Sequence, residues 1–477
     1  MHVHLIGVCG TGMGPLAGLL RAAGHRVTGS DRAFHPPMGP ALERWGVETM
    51  EGYDPANLEP APDLVVVGNV CRPDHVEARA AIDRGLRYAS FPATLASQVL
   101  ARRRPFVVAG THGKTTTSTL LAYLLDRAGQ APGMLLGGVP KDFDTSFRLG
   151  REDGPFVVEG DEYDSAFFEK TPKLWQYSAQ AAILTSVEHD HVDIYPDPAS
   201  YRDAFVTWVK SLPPDGVLVA WAGSRAVREV AIEAPCRVLW YAQSTDDVGA
   251  VQPTWMAAPI APQGGLHPFD LFVGGSATRT VMSPLSGRHN VLNATAALAL
   301  AAEAGGAPLD VLIGALRSFR GVSRRQELLG EAGGARVYDD FAHHPTAVRE
   351  TLAGLRARHP DGRLFAVFEP RSATASRKLH QAAYPRAFAS ADRTLLAPVG
   401  RPEIAAEERL DVEAIAAAIR EAGRQAEAPA DHDALLARLL DEVRPGDTVV
   451  LMSNGAFGGL PDRLLAALAV RATRAVA

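Results

Sequence analysis

Short apolar runs alternate along the chain with stretches of helical periodicity. The runs at residues 3–8, 63–68, 106–109, 156–159 and 181–187 have the length of buried strands, and each leads into a polar or glycine-bearing loop. Buried strands that alternate with helices form parallel sheets packed between helices. The pattern therefore predicts an α/β fold.

A length of 477 residues is too great for one core, and the pattern divides the chain into three predicted domains. Residues 1–104 predict a Rossmann-like domain, residues 105–324 a P-loop-type ATPase domain, and residues 325–477 a doubly wound α/β domain. In the third, predicted strands at 335–339, 364–368, 394–397 and 448–452 alternate with predicted helices at 346–358, 411–422 and 433–443. We expect its ligands at the carboxyl ends of these strands.

A phosphate-binding loop follows the apolar run at 106–109. Glycines allow a tight turn there, and Lys114 opens an apolar helix. Backbone N–H groups, the positive end of the helix and the Lys114 ammonium attract phosphate, and a threonine hydroxyl at this place binds Mg²⁺. The full pattern has a further glycine where this chain has Val108. The predicted nucleotide-binding residues of the loop are Gly110, Thr111, His112, Gly113, Lys114, Thr115 and Thr116.

Two acidic strand ends follow in the predicted central domain. Glu159 closes one apolar run within VVEGDEYD, where we expect Glu162 and Asp164 to be solvated charges. The next strand ends in EHDHVD, which contains His191. Carboxylates beside a phosphate loop suit magnesium on a nucleotide, and a histidine flanked by acids suits a further metal. We therefore interpret Thr115, Glu159 and His191 as candidate metal ligands.

The first domain has a glycine-rich turn of its own. Gly10 and Gly12 nearly complete the G-x-G-x-x-G pattern of dinucleotide-binding domains, but Pro15 takes the third glycine position. Asp31 follows the second strand, where such domains carry an acidic residue. The turn predicts a phosphate-bearing ligand. A nicotinamide-dependent oxidoreductase is an alternative hypothesis, although no residue set for hydride transfer follows.

Composition narrows the function classes. The chain has 48 basic and 54 acidic residues, a net charge of −6 and no long basic run, so nucleic acid is not an expected partner. Cys9, Cys71 and Cys236 are too few and too far apart for a disulfide framework, which is typical of a reducing cytoplasm. No apolar run reaches about 18 residues, so we expect no membrane span.

In this order, the motifs resemble those of the Mur ligase family of ATP-dependent amide-bond-forming enzymes. They are GVCGTGM, AGTHGKTTT, VVEGDEYD, EHDHVD, GRHNVLNA, GVSRRQE and DDFAHHP, and they span essentially the whole chain. The resemblance implies ATP and Mg²⁺ as cofactors, and one domain each for a UDP-sugar, ATP and an incoming amine. It also implies that ATP converts a muramoyl carboxylate into an acyl phosphate, which the amine attacks.

Two stretches bear on the branch of this family. EPRS at 369–372 and MSNGAFGG at 452–459 resemble the branch that joins the tripeptide L-Ala-γ-D-Glu-meso-diaminopimelate to UDP-N-acetylmuramate, in cytoplasmic peptidoglycan recycling. The alternative branch adds L-alanine to UDP-N-acetylmuramate. A non-catalytic nucleotide-binding regulator is a further hypothesis, against which the dense acidic set argues.

The resemblance implies roles for single residues. The residues it assigns to catalysis are Lys114, His191, Arg325 and His343, with His344 as an alternative to His343. To ATP it assigns the loop with Asn293, Arg325 and Asp340, and to the UDP-sugar it assigns Gly10, Thr11, Gly12 and Asp31. The predicted peptide-binding residues are Arg371, Ser372 and Asn454, because a planar guanidinium holds carboxylates in pairs of hydrogen bonds. Phe205 stands near the position where some members carry a carbamylated lysine, so we expect none here.

Overall fold

The first sheet is parallel throughout. A computed structural model describes residues 1–476, and its five-stranded first sheet has the order β3-β2-β1-β4-β5. The strands are β1 (His2–Ile6), β2 (Arg26–Asp31), β3 (Glu48–Glu51), β4 (Leu64–Val67) and β5 (Tyr88–Ser90). The helices are α1 (Met13–Ala22), α2 (Met38–Arg44), α3 (Val76–Asp83) and α4 (Phe91–Gln98). The glycine-rich turn thus joins β1 to α1 at the carboxyl edge of the sheet.

The second sheet has ten strands in the order β17-β16-β15-β14-β13-β12-β6-β9-β7-β8, and its middle is parallel. Its strands are β6 (Arg104–Ala109), β7 (Gly133–Leu135), β8 (Phe147–Arg148), β9 (Pro155–Gly160), β12 (Ala181–Leu184), β13 (Val217–Trp221), β14 (Arg237–Gln243), β15 (Trp255–Pro259), β16 (His267–Val273) and β17 (Ser276–Ser283). A separate hairpin contains β10 (Asp164–Ala166) and β11 (Glu169–Pro172). The helices are α5 (Lys114–Arg127), α6 (Pro198–Lys210), α7 (Arg225–Ala231), α8 (Arg288–Glu303) and α9 (Leu309–Leu316).

The third sheet has six strands in the order β18-β19-β23-β20-β21-β22, with only the β18–β19 pair antiparallel. The strands are β18 (Glu327–Ala332), β19 (Ala335–Asp340), β20 (Leu364–Phe368), β21 (Arg393–Leu396), β22 (Gln425–Glu427) and β23 (Thr448–Met452). The helices are α10 (Pro345–Arg358), α11 (Tyr384–Ala387), α12 (Val412–Glu421), α13 (His432–Glu442) and α14 (Leu460–Val476). Short 3₁₀ turns span Pro55–Leu58, Leu100–Arg102, Lys173–Gln176, Lys378–His380 and Phe457–Gly459.

The predicted α/β fold with three such units is confirmed. The strands predicted at 364–368 and 448–452 have the predicted bounds, whereas the one predicted at 181–187 ends at Leu184. Polar caps set several helix starts: the carboxylates of Asp411 and Asp431 accept hydrogen bonds from the N–H groups of Ala414 and Ala434. The domain boundaries at 104/105 and 324/325 stay predictions, and Ala477 lies outside the described residues.

The hydrophobic core of the first sheet continues into that of the second. One cluster of buried side chains contains Val3 of β1 together with Val107 of β6. Phe147 sits at the junction, where its ring lies 4.8 Å from that of Trp45 and against Gly18 of α1. The first two sheets therefore share one apolar platform.

The third sheet has apolar clusters of its own, one on each face. One contains Leu352 and Phe368, and the other contains Phe365 and Leu439. The third unit meets the second through polar and charged side chains, described below. No helix among residues 1–476 is long and apolar enough to cross a membrane.

The junction at Gly18 can be tested by filling it. A Cβ atom at Gly18 would clash with the buried ring of Phe147. We expect Gly18→Ala to lower the free energy of unfolding by about 1–3 kcal/mol, although alanine favours a helix over glycine by about 1 kcal/mol. Urea unfolding measures the change. Gly314→Ala in α9 is the matched control, because nothing lies within 4 Å of its Cβ position, and equal stability of the two variants would contradict the proposed packing.

Candidate active site

The phosphate loop lies between β6 and α5, at the carboxyl edge of the second sheet. Gly110 has φ 130 and Gly113 has φ 81, both in the region that favours glycine. A Cβ at Gly113 would lie 2.6 Å from Oδ1 of Asn293, and one at Gly110 would clash with Thr185. The loop therefore needs glycine at both positions, and the N-terminus of α5 is left facing the cleft.

Hydrogen bonds tie the loop to the segment after β12. Thr111 Oγ1 donates to the carbonyl of Glu188 at 2.9 Å and accepts from its N–H at 2.8 Å. The N–H of His112 donates to Ser186 Oγ at 2.9 Å. The two strand-end segments are thus held as one rigid phosphate cradle.

A buried ion pair fixes the lysine of the loop. Lys114 Nζ donates to Glu162 Oε2 at 2.8 Å and to the carbonyl of Gly110 at 2.7 Å. Burial raises the pKa of Glu162, but the charge of Lys114 and a hydrogen bond with His191 outweigh it and lower the pKa to about 2. The prediction that Glu162 is a solvated charge is therefore wrong, whereas Asp164 does lie in a solvent-exposed pair with Lys170.

His191 contacts the carboxylate oxygen of Glu162 that Lys114 leaves free. Its Nε2 atom lies 3.3 Å from Glu162 Oε1. Burial lowers the pKa of His191, but its hydrogen bond to Glu162 and that carboxylate's charge raise it more. The backbone of His191 is left-handed, with φ 51, and its N–H donates to Asp190 Oδ1 at 2.7 Å. Glu162 thus links Lys114 to the predicted metal-ligating histidine.

The other two predicted metal ligands contact each other. Thr115 Oγ1 donates to Glu159 Oε2 at 2.9 Å, and Glu159 Oε1 accepts from the N–H of Gly137 at 2.6 Å. Burial and the charge of Asp161 raise the pKa of Glu159. A hydroxyl and a carboxylate beside the phosphate loop form an oxygen donor set that fits Mg²⁺.

The third domain reaches across the cleft with Arg325. Its guanidinium donates to Thr115 Oγ1 at 3.3 Å and lies 4.8 Å from the centre of the Phe341 ring. The carboxylate of Asp340 accepts from the N–H groups of Gln326 and Ala342, both at 2.7 Å. The structure therefore brings both residues to the nucleotide side of the cleft.

A cleft lies between the second and third domains. Seven of the predicted ATP-binding residues line it: His112, Gly113, Thr115, Thr116, Asn293, Arg325 and Asp340. The aromatic side chains of Trp221 and Tyr241 also line the cleft. Asn293 Nδ2 donates a hydrogen bond to Asn290 Oδ1 at 3.2 Å. The remaining predicted ATP-binding residues, Gly110, Thr111 and Lys114, lie in the cradle itself.

The two histidines of the third domain contact different acids. His343 Nε2 lies 3.9 Å from Asp190 Oδ2, and His344 Nδ1 lies 3.7 Å from Glu188 Oε2. The ring of His344 also lies 4.5 Å from that of His112. The contact between His112 and His344 joins segments that are more than two hundred residues apart, and nothing in the sequence signalled it.

The predicted peptide residues meet at the carboxyl ends of β20 and β23. The half-exposed Arg371 guanidinium lies 3.9 Å from Glu369 Oε1, and its stem packs against Gly400 and Gly455. Ser372 Oγ accepts from the N–H of Ala375 at 3.0 Å. Within residues 1–476, Asn454 Oδ1 is buried without a hydrogen-bond partner.

His432 is a neighbour of this cluster that the sequence did not suggest. Its Nε2 lies 3.1 Å from Glu369 Oε1, while Ser453 Oγ donates to Glu369 Oε2 at 2.5 Å. His432 and Ser453 thus hold the buried Glu369 carboxylate in place beside the Arg371 guanidinium.

The predicted UDP-sugar residues lie at the carboxyl edge of the first sheet. Asp31 Oδ2 accepts from the N–H of Cys9 at 2.8 Å, and Asp31 Oδ1 accepts from the hydroxyl of Tyr53 at 3.2 Å. Asp31 therefore braces the turn that carries Gly10, Thr11 and Gly12. Thr11 and Gly10 are exposed at the tip of this turn.

Fold and site together define a three-domain, nucleotide-binding α/β enzyme. Three family models match consecutive parts of the chain: "Mur ligase family, catalytic domain" at residues 2–103, "Mur ligase middle domain" at 108–301, and "Mur ligase, glutamate ligase domain" at 324–455. The middle domain is the ATP-binding domain of this family.

Individual proteins give the same result over the full length. The chain is 38% identical to the UDP-N-acetylmuramate–L-alanyl-γ-D-glutamyl-meso-2,6-diaminoheptandioate ligase of Escherichia coli, with 100% of both chains covered. It is 36% identical to the UDP-N-acetylmuramate–L-alanine ligase of a Roseiflexus species, over 96% of this chain and 97% of that one. The crystal structure of a murein peptide ligase from Psychrobacter arcticus superposes with a TM-score of 0.72 at 37% identity, covering 98% of this chain and 99% of that one.

The chain belongs to the Mur ligase family of ATP-dependent amide-bond-forming ligases. The family resemblance found in the sequence is confirmed. The assignment of single residues to ligands stays a prediction.

Replacing Glu162 tests the buried pair. Glu162→Gln keeps the shape but leaves the Lys114 ammonium without its carboxylate, and breaking a buried pair costs about 3–5 kcal/mol of unfolding free energy. Because the pKa of Glu162 falls from 4.5 to about 2, its contribution is complete above pH 4.5 and is lost as the pH falls toward 2. In urea unfolding, the difference in the free energy of unfolding between the wild type and Glu162→Gln should therefore be large at pH 7 and small at pH 3.

Asp164→Asn provides the control for that measurement. Its exposed pair with Lys170 contributes about 0–1 kcal/mol. An equal loss of unfolding free energy in the two variants would contradict the buried pair. So would a loss in Glu162→Gln that does not change with pH.

Proposed function

We propose that this chain joins the tripeptide L-Ala-γ-D-Glu-meso-diaminopimelate to the lactyl carboxylate of UDP-N-acetylmuramate, with ATP converted to ADP and phosphate. The observation that carries the proposal is the cradle in which Lys114, Glu162 and His191 meet, faced across the cleft by Arg325. The full-length likeness to the tripeptide ligase of Escherichia coli supports it. The reaction serves peptidoglycan recycling in the cytoplasm, where ATP and UDP-sugars are found.

ATP binds in the cleft between the second and third domains. The loop N–H groups and Lys114 take its phosphates, Asn293 lies by the adenine, and Asp340 by the ribose. Thr115 and Glu159 would hold Mg²⁺ through their side-chain oxygen atoms, and His191 would hold a second ion. Bound magnesium neutralises phosphate charge and polarises the γ-phosphoryl group.

In the first step, an oxygen of the lactyl carboxylate attacks the γ-phosphorus and ADP leaves. The carboxylate becomes an acyl phosphate, which is an electrophile. Lys114 and Arg325 stabilise the charge that develops on the transferred phosphoryl oxygens. Because both reactants are anionic, positioning and charge neutralisation are the main contributions of the protein.

In the second step, the tripeptide amine attacks the acyl carbon and phosphate leaves. The amine must lose a proton, and His343 is the better base of the two adjacent histidines. Burial lowers the pKa of both, but that of His344 falls to about 3, too low to accept a proton effectively near neutral pH. The Asp190 charge opposes the shift at His343.

The peptide lies along the loop after β20. Thr374 of that loop forms a hydrogen bond with Asp190, next to His191. Arg371, Ser372 and Asn454 then lie on the side where the carboxylates of the tripeptide extend.

Phosphate release tests the reaction directly. With ATP, Mg²⁺ and UDP-N-acetylmuramate, we expect fast release when L-Ala-γ-D-Glu-meso-diaminopimelate is added, and slow release with L-alanine. The reverse preference would move the chain to the L-alanine branch. If neither amine causes phosphate release although ATP binds, the proposal that the chain is a ligase is refuted.

Arg371 provides a test of the peptide site. A guanidinium–carboxylate hydrogen bond contributes about 1.5–3 kcal/mol, so Arg371→Ala should raise the KM for the tripeptide by about 10–100-fold. The KM values for ATP and UDP-N-acetylmuramate should stay unchanged. Arg424→Ala is the control. Arg424 precedes β22 and therefore lies at the amino ends of the parallel strands, whereas Arg371 follows β20 at their carboxyl ends. A parallel rise in all three KM values would show that the variant is damaged rather than selective.

A further inference from the structure

Lys173 is a partly buried cation outside the phosphate cradle. It opens the 3₁₀ turn that follows the β10–β11 hairpin, and its side chain is 12% exposed. Its Nζ atom lies 4.2 Å from the centre of the Tyr163 ring and 5.3 Å from that of Phe91, which belongs to α4 of the first domain. Lys173 is therefore enclosed at the junction of the first and second domains.

Among the described residues, the Lys173 ammonium has no hydrogen-bond acceptor. Among residues 1–476, the nearest carboxylate oxygen is Oδ2 of Asp161 at 3.8 Å, too long for a hydrogen bond. That oxygen already accepts from the hydroxyl of Tyr163 at 2.7 Å. An ammonium has three donors, and those of Lys173 remain available to an acceptor from outside the chain. Burial accordingly lowers the pKa of Lys173, against the charges of Asp161 and Glu162.

Lys170 shows what an ordinary lysine does in the same hairpin. It is 67% exposed and donates to Asp164 at 2.7 Å. Three residues further on, Lys173 turns inward and forms no such bond. The contrast marks Lys173 as a residue whose partner comes from outside the chain.

A row of contacts places Lys173 between two ligand sites. On one side, Phe91 lies beside the glycine-rich turn, since a Cβ at Gly12 would be 3.4 Å from its ring. On the other side, the ring of Tyr163 lies 5.4 Å from that of His191. Lys173 lies between these two aromatic rings. A molecule that follows this row of contacts from the turn at Gly12 toward His191 would pass beside the ammonium.

The negative charge at the end of β9 favours a further cation there. Glu159 is near the end of β9 and Asp161 and Glu162 follow the strand, while Lys114 is already paired with Glu162. A substrate carboxylate that approaches the γ-phosphate on this side meets mostly negative charge. Another fixed positive charge on its path would offset that repulsion.

We propose that the Lys173 ammonium binds an oxyanion of the sugar nucleotide, either its lactyl carboxylate or its diphosphate, as the substrate runs from the first domain to the reaction centre. The proposal rests on the proposed function, which supplies a substrate of this shape. It adds a substrate-binding residue outside the recognised motifs. It also explains why a lysine is enclosed between the aromatic rings of two domains.

Calorimetric titration of the full chain with two sugar nucleotides tests the proposal without turnover. UDP-N-acetylmuramate and UDP-N-acetylglucosamine differ only by the lactyl ether. Lys173→Met keeps the apolar stem and removes the charge, and we expect it to bind UDP-N-acetylmuramate about 10–100-fold more weakly. If UDP-N-acetylglucosamine binding is unchanged, the partner is the carboxylate, and if it weakens equally, the partner is the diphosphate.

Lys170→Met is the matched control and should bind both nucleotides like the wild type. Wild-type affinity of Lys173→Met for both nucleotides would overturn the proposal, and phosphate release by the wild type would then still support the ligase. A wild type that binds neither nucleotide would overturn both. Should Lys173→Met fail to fold, judged by its melting temperature, Lys173→Gln replaces it in the same titration with the same expected loss.

Discussion

The ion pair between Lys114 and Glu162 is the interaction around which the active site is arranged. A buried ammonium and a buried carboxylate are each unfavourable alone, so each fixes the position of the other. Glu162 is also held by His191 and by the hydroxyl of Tyr201, at 3.2 Å. One carboxylate thereby joins the phosphate loop, the end of β9 and the segment after β12.

The order of the second sheet makes this arrangement possible. β6 lies between β9 and β12, and the three strands are parallel. Their carboxyl ends consequently meet at one edge, with the phosphate loop in the middle and an acidic segment on either side. This is the edge at which ligands bind in parallel sheets. The strand order thus determines where the site lies, and the side chains that follow the carboxyl ends of the strands form it.

Local sequence pattern was sufficient to predict the parallel strands beside the site, the glycine-bearing loop after β6 and the acidic strand ends, whereas the strands β13 to β17 were not predicted one by one. It failed at Glu162, because burial of that carboxylate depends on Lys114 and Tyr201, which lie far away in the chain. The positions of His432 beneath Arg371 and of His344 beside His112 have the same origin. Contacts between segments that are distant in the chain leave no periodic signal, so the surroundings of single residues such as Lys173 become visible only in the folded structure.

The division of the core has a consequence for the chemistry. The first two domains share one apolar cluster, so the sugar-nucleotide turn and the phosphate cradle are held at a fixed separation. The third domain contributes Arg325 and His343 through polar contacts, which water can replace at low cost. A rigid platform for the acid and the nucleotide, with a separable domain for the amine, fits a reaction in which the acyl phosphate must form before the amine attacks. For the proposed reaction, the continuous core would set where the carboxylate is activated, and the polar contacts of the third domain would allow that domain to deliver the amine and release the product.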